Sequence, residues 1–136
     1  MITVVTGAPC SGKSTHVAQH ATLGDIVIDM DRIALALTVD SATHHDYDEK
    51  LRSVARAARN AAVKQALSVA QGERYLNVWI IHTDPSANDR QMYRTMNARI
   101  MEVDPGKQIC LERLGERPER NKIVARKVIE DYYAKR

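Results

Sequence analysis

The sequence predicts an α/β fold in which a parallel sheet of about four strands carries helices on both faces. Three observations lead there. Short β-branched runs alternate with segments of helical periodicity. The first run ends in a glycine-rich turn that leads straight into a helical pattern. The polar, chemically capable residues collect just after the apolar runs, at residues 7–14, 29–32, 82–84 and Asp104. Parallel sheets bind their ligands there, beyond the C-terminal ends of the strands.

The elements follow in order. Ile2–Thr6 is a β-branched run stopping at Gly7, a buried strand, and a helix is expected over residues 14–20. Gly24 marks a turn, and Ile26–Ile28 is a second buried strand between Asp25 and Asp29. Asp31 is placed to cap a short helix over residues 32–37. A polar connection over 38–46 carries His44 and His45. Residues 47–71 hold the longest helical pattern, with Leu51, Val54, Ala55, Ala58, Ala62, Ala66 and Val69 on one stripe. Arg52, Arg56 and Arg59 form a second stripe, and Gly72 is suited to ending the helix. A third strand is expected over 75–81, a loop over 82–87, a helix over 88–97 and a fourth strand over 98–103. After the turn at Asp104, Pro105 and Gly106, a helix runs from Lys107 to about Leu114, residues 115–118 break it, and 119–135 form a last, basic helix.

A length of 136 residues suits one domain spanning 1–136. Hydrophobic residues at 44% and charged residues at 27% exclude a disordered chain. With no Phe and a single Trp, the core must come from Val, Ile, Leu, Met and Ala. The net charge of +3 is uneven: residues 1–106 carry 11 Lys and Arg against 12 Asp and Glu, and residues 107–136 carry 9 against 5. That surplus suits either a polyanionic partner or a solvated basic helix. Cys10 and Cys110 lie far apart, with no Cys or His at ligand spacing, which excludes a disulfide framework or a zinc site and suggests a reducing compartment. No window approaches the roughly 20 apolar residues of a membrane span, and the N-terminus lacks the basic start of a signal peptide. A cytoplasmic protein with no membrane partner is expected.

Gly7, Ala8, Pro9, Cys10, Ser11, Gly12, Lys13 and Ser14 match the pattern GxxxxGK[ST] in full, with Thr15 following. The glycines let the backbone wrap around phosphate, and successive N–H groups and a helix N-terminus face the anion. Nucleotide binding through residues 7–15 is therefore expected. Lys13 would reach the β/γ-phosphates of ATP, and the Ser14 hydroxyl would ligate Mg²⁺. Motors, switches and kinases share this loop, so the other strand ends must discriminate.

Phosphoryl transfer to a hydroxyl needs a carboxylate that receives the acceptor's proton and holds it in line. Asp31, just past the second strand, is the candidate base, with helix capping as its alternative role; Asp29 would support the site or a water on Mg²⁺. Past the third strand, Asp84 is the candidate second metal group beside Ser14, and His82 reads as a packed, hydrogen-bonded histidine. Arg113 and Arg117, four residues apart in a segment broken by Gly115 and Pro118, look like a short lid over about 113–120 that neutralises the transferring phosphoryl group. Arg120 is a weaker candidate, and a solvated helix with Glu–Arg pairs is the alternative.

These features together resemble the small P-loop kinases of the bacteriophage polynucleotide kinase type, grouped with zeta-toxin-like and AAA-named single-domain kinases. The resemblance rests on GAPCSGKST (7–15), the aspartate of VIDMDR, the strand VWIIHTD (78–84) and the segment CLERLGER (110–117). It implies a base at Asp31 and lid arginines at Arg113 and Arg117. The arginine that the family places three residues after the base meets Ala34, with Arg32 nearby, and the family's acid at the end of strand three meets Thr83, with Asp84 one residue on. The segment HTDPSANDR (82–90) looks like kinase-like proteins of actinobacterial phages, which implies the cytoplasm of an infected cell. The expected fold is then a P-loop three-layer sandwich with strand order 2-3-1-4. The expected reaction is transfer of the γ-phosphate of ATP, with Mg²⁺, to a hydroxyl acceptor, foremost the 5′ end of DNA or RNA. A nucleotide or other small-molecule kinase, and a non-kinase ATPase serving a DNA-processing partner, are the alternatives.

Overall fold

The computed structural model describes residues 1–42, 47–117 and 122–136. Among them, β1 (Ile2–Thr6), β2 (Ile26–Ile28), β3 (Val78–Ile81) and β4 (Arg99–Glu102) form one parallel sheet in the order β2-β3-β1-β4, as the sequence predicts. The helices are α1 (Lys13–His20), α2 (Met30–Ala36), α3 (Glu49–Ala70), α4 (Ala87–Thr95), α5 (Lys107–Glu116) and α6 (Lys122–Ala134). Val4 pairs with Ile80 of β3 and with Ile100 of β4. β1 is buried along its whole length, threonines included, which is why it reads as an unbroken β-branched run.

Two apolar clusters hold the layers. Ile2, Val4, Ile28, Val78 and Ile80 of the sheet pack with Val63, Ala66 and Leu67 of α3 and Tyr93 of α4. Cys110 and Leu114 of α5 pack with Ile129 and Tyr132 of α6 and, from the loop after β1, with Ala8 and Cys10. The second cluster seats that loop on two C-terminal helices. The end of α6 is tied down by polar contacts as well. The Tyr132 hydroxyl donates to Glu102, Arg136 Nη2 lies 3.0 Å from Glu102 Oε2, the Tyr133 hydroxyl donates to Asp104 Oδ1 at 2.6 Å, and Lys135 Nζ donates to Asp84 Oδ2 at 3.0 Å. Part of the C-terminal positive charge thus faces carboxylates at the ends of the sheet. No helix among the described residues is long and apolar enough to cross a membrane.

Several expectations need correction. The cap of α2 is Asp29, whose Oδ1 accepts from the Asp31 N–H at 3.1 Å, so the helix starts at Met30 and Asp31 lies in its first turn. A carboxylate two residues ahead of an N–H has the reach of an Asx turn, which a count of capping residues does not separate from Asp31. In α3 the buried residues are Ala55, Val63, Ala66 and Leu67, whereas Val54 and Val69 of the expected stripe are 56% and 44% exposed. Alanines recur all around this helix, so the apolar pattern defines its buried face poorly. α5 continues through Gly115 to Glu116, with Arg117 as its C-cap. Pro118 and Arg120, expected in the lid, and His44 and His45 lie outside the described residues. α4 begins with a capping box that the sequence reading passed over: Asp89 N–H donates to Ser86 Oγ at 3.0 Å, and Ser86 N–H donates to Asp89 Oδ2 at 3.2 Å.

Ile80 is fully buried at the centre of the first cluster. Ile80→Ala is expected to lower stability by about 2–5 kcal/mol, read as an earlier urea midpoint with an unchanged slope.

Candidate active site

The loop between β1 and α1 is built on a close approach. At Gly7, φ is +149°, and an added Cβ would sit 2.5 Å from the Val103 carbonyl oxygen and 2.6 Å from Ser11 Oγ, so no other residue fits. The Gly7 N–H donates to the Thr83 carbonyl at 3.1 Å, and the Val103 N–H donates to the Thr6 carbonyl at 2.8 Å. The base of the loop is thereby stitched between the ends of β3 and β4. Gly12, at φ +101°, caps α1 without a side chain, so the helix opens on bare N–H groups. Cys10 takes the left-handed region at φ +66°, a conformation that costs a non-glycine residue about 1–2 kcal/mol. The surrounding contacts hold it there. Arg113 Nη1 donates to the carbonyls of Cys10 and Ser11, each at 3.1 Å.

Lys13 folds back over the loop, its Nζ donating to the carbonyls of Gly7 and Ala8 at 2.8 Å each. Burial lowers its pKa to about 8, opposed chiefly by the nearby Asp31 carboxylate. Ser14 Oγ donates to Asp29 Oδ2 at 3.2 Å. The Ser11 hydroxyl is buried and has no partner among the described residues. A glycine cradle, an orphaned hydroxyl and a buried ammonium suit a phosphate. The Ser14 hydroxyl and the Asp29 carboxylate are the hard oxygen donors that Mg²⁺ takes.

Two clefts open from this loop. One, of about 460 Å³, is lined by Ser11, Gly12, Thr15, His16, Gln19, Val103 and Arg113. The other, of about 560 Å³, brings Pro9, Lys13, Ser14 and Thr15 together with Asp29, Asp31, Tyr47, Arg52 and Thr83, and has Val124 and Val128 of α6 as an apolar wall. Cys10, Gly12, Thr15 and Arg117 line both. Gly7 and Ala8, the first residues of the loop, are buried and line neither cleft. The structure thus gathers Lys13, Ser14, Asp31 and Arg117 around one space and sets Arg113 against the loop's outer carbonyls. Asp84 lines neither cleft and meets Lys135; the acid beside Ser14 is Asp29.

Tyr47 is the residue that sequence reasoning missed. Its hydroxyl donates to Asp31 Oδ1 at 2.6 Å, and burial together with that carboxylate pushes its pKa well up. Sixteen residues separate the pair, and no periodicity links them. Of the arginine stripe, only Arg52 reaches the cleft. Arg52 and Arg56 lie 3.9 and 3.7 Å from Glu49, and Arg59 donates to the Tyr93 hydroxyl at 3.3 Å. That hydroxyl shares a hydrogen bond of 2.9 Å with His82 Nδ1, so His82 is the packed histidine expected.

Burial pushes the His82 pKa down from an ordinary 6.5 to about 4. Its folded value lies below its unfolded value, so protons favour unfolding between those limits. Stability is expected to fall as pH drops from about 6.5 to about 4, and His82→Gln to flatten that slope in urea melts across the range.

Residues 2–136 match the family described as an AAA domain. No curated protein sequence matches the chain. Among solved structures, the chain is similar to one in the Pnkp1/Rnl/Hen1 RNA repair complex, at 22% identity and a TM-score of 0.60, covering 98% of this chain and 42% of that one. A chain in another structure of the Pnkp1/Rnl/Hen1 complex matches at 18% identity and a TM-score of 0.56, covering 82% of this chain and 38% of that one. These likenesses speak for the fold, and the chain spans about two fifths of the length of either solved chain. From residue 2 to residue 136, this chain belongs to the AAA domain family, a P-loop, kinase-like family.

Proposed function

We propose that the protein is a kinase that transfers the γ-phosphate of ATP to a hydroxyl acceptor, with the 5′-hydroxyl of a nucleic acid as the favoured acceptor. One observation carries this reading: Lys13 and Ser14 of the phosphate loop and Asp31 of α2 line the same cleft of about 560 Å³. A nucleotide triphosphate on the loop and a hydroxyl at Asp31 would then face each other across it. Residues 7–15 hold the phosphates through backbone N–H groups, and Lys13 places its ammonium on the β/γ oxygens. Ser14 and Asp29 would hold Mg²⁺, which would supply charge neutralisation to the phosphates. Arg117, the C-cap of α5, lines this cleft and neutralises the transferring group, while Arg113 holds the loop through the Cys10 and Ser11 carbonyls rather than meeting that group. Asp31 receives the acceptor's proton as the acceptor oxygen bonds to the γ-phosphorus; the bond from that phosphorus to the bridging oxygen breaks, and ADP leaves.

The nucleic-acid acceptor draws support from Arg52 in the cleft, from the positive surplus of residues 107–136 and from the RNA repair complexes among the similar structures. A small-molecule hydroxyl is the second reading, favoured by one observation: Arg59 is engaged by Tyr93, and only Arg52 of the stripe lines the cleft. Incubation with γ-labelled ATP and a panel of 5′-hydroxyl DNA, 5′-hydroxyl RNA, nucleosides and nucleoside monophosphates separates the two. ATP turnover without label on any acceptor would move the protein to the ATPases.

Lys13→Ala is expected to reduce turnover roughly 10²-fold or more while the circular dichroism of the fold survives. Phosphate favours the ammonium form of Lys13, so wild-type nucleotide affinity is expected to weaken as pH rises through about 8, and Lys13→Ala to lose that dependence in calorimetric titrations.

Asp31→Asn keeps the size of the side chain and removes its charge and its capacity to take a proton. The cap of α2 is Asp29, so the helix keeps its start. Phosphoryl transfer is expected to drop on the order of 10²-fold, with ATP affinity and melting temperature nearly held. Transfer at the wild-type rate would place the base elsewhere.

A further inference from the structure

We infer that Tyr47 is a positioning residue for the acceptor, holding the Asp31 carboxylate in the orientation that meets the incoming hydroxyl. The inference rests on the kinase reading above and adds to it a residue that neither the phosphate loop nor the family match points to.

Among the described residues, Asp31 is held at both its main chain and its side chain. Its main chain is set by the Asp29 cap, through the 3.1 Å bond from Asp31 N–H to Asp29 Oδ1. That bond leaves the side chain to turn, because the terminal torsion of an aspartate is broad and roughly two-fold. The Tyr47 hydroxyl, at 2.6 Å from Oδ1, selects one orientation. A phenol donating to a carboxylate makes a charge-assisted bond, stronger than a neutral one. The donor is itself held on both sides. Tyr47 immediately precedes Asp48, whose side chain accepts from the Leu51 N–H at 3.1 Å and fixes the start of α3. The Arg52 guanidinium lies over the Tyr47 ring at 5.7 Å from its centroid, one turn along the helix. α2 and α3 pack against each other, so the pair spans a firm joint. Tyr47 and Arg52 both line the cleft that holds Lys13, Ser14 and Asp31.

The arrangement assigns distinct roles. Asp31 takes the proton of the acceptor hydroxyl as the new oxygen–phosphorus bond forms, while Tyr47 keeps its own proton throughout. A misaligned carboxylate slows an in-line displacement without weakening nucleotide binding, since positioning acts on the reacting geometry. The effect of Tyr47 should therefore appear in kcat and should vanish when Asp31 no longer acts as a base. A tyrosine that only stapled α3 to α2 would alter stability equally in either background.

A kinetic double-mutant cycle with the acceptor that wild type labels best tests this. Tyr47→Phe keeps the ring and its contact with Arg52 and removes only the donor. It is expected to lower kcat roughly 10-fold or more, with the KM for ATP changed by less than about twofold. In the Asp31→Asn background the same substitution is expected to change kcat by no more than about twofold, because the two residues act as a unit. Equal fold-losses in both backgrounds, or full-rate transfer by Tyr47→Phe, would overturn the positioning role and leave the kinase reading standing. Absence of label on every acceptor with wild type would overturn the kinase reading, and the role of Tyr47 with it.

Discussion

The close approach at Gly7 is the constraint on which the site depends. The chain leaves β1 and must turn within van der Waals reach of the Val103 carbonyl and Ser11, leaving no room for a Cβ. That turn sends the following residues back over the sheet, where Lys13 can reach the Gly7 and Ala8 carbonyls and α1 can begin with its N–H groups uncapped. It also requires a firm seat. Thr83 holds the loop from β3, the Val103 N–H bonds to Thr6 from the β4 side, and Arg113 binds two loop carbonyls from α5. The left-handed Cys10 is affordable only inside such a frame.

The same economy of groups shapes the second strand end. Asp29 caps α2 with one carboxylate oxygen and accepts from Ser14 with the other. It therefore couples the start of a helix to the metal side of the loop, and it releases Asp31 from capping duty. Asp31 can then face the cleft with Tyr47 as its partner. Two carboxylates separated by one residue, Met30, thus face different neighbours, because one caps the helix and the other lies in its first turn.

The C-terminal helices do more than cover the sheet. Leu114, Ile129 and Tyr132 pack on Ala8 and Cys10 beneath the loop, while Val124 and Val128 form an apolar wall of the larger cleft. Tyr132, Tyr133, Lys135 and Arg136 fasten the end of α6 to Glu102, Asp104 and Asp84 at the sheet's ends. A basic helix that reads as a solvated face or a polyanion site is, at its end, a clamp.

The strand order came with the resemblance to small P-loop kinases; by itself the sequence determined the layers and the phosphate loop. Those depend on signals local to a few residues: a β-branched run, a glycine where no Cβ fits, a lysine and a serine at a set spacing. It also placed Asp31 near the loop, because the strand ends of a parallel sheet share one edge, and it singled out Arg113 and Arg117 by their spacing in the segment after β4. Only the tertiary structure decided which neighbour each polar group takes. Asp29 rather than Asp31 caps α2, Asp29 rather than Asp84 stands beside Ser14, and Tyr47 meets Asp31 across sixteen residues. It also decided which face of the alanine-rich α3 is buried, where the apolar pattern is nearly uniform around the helix. The physical reason is one of range. Backbone turns and strand burial are encoded within a few residues, whereas a hydrogen bond between side chains depends on how whole helices pack, and that geometry leaves no periodic mark along the chain.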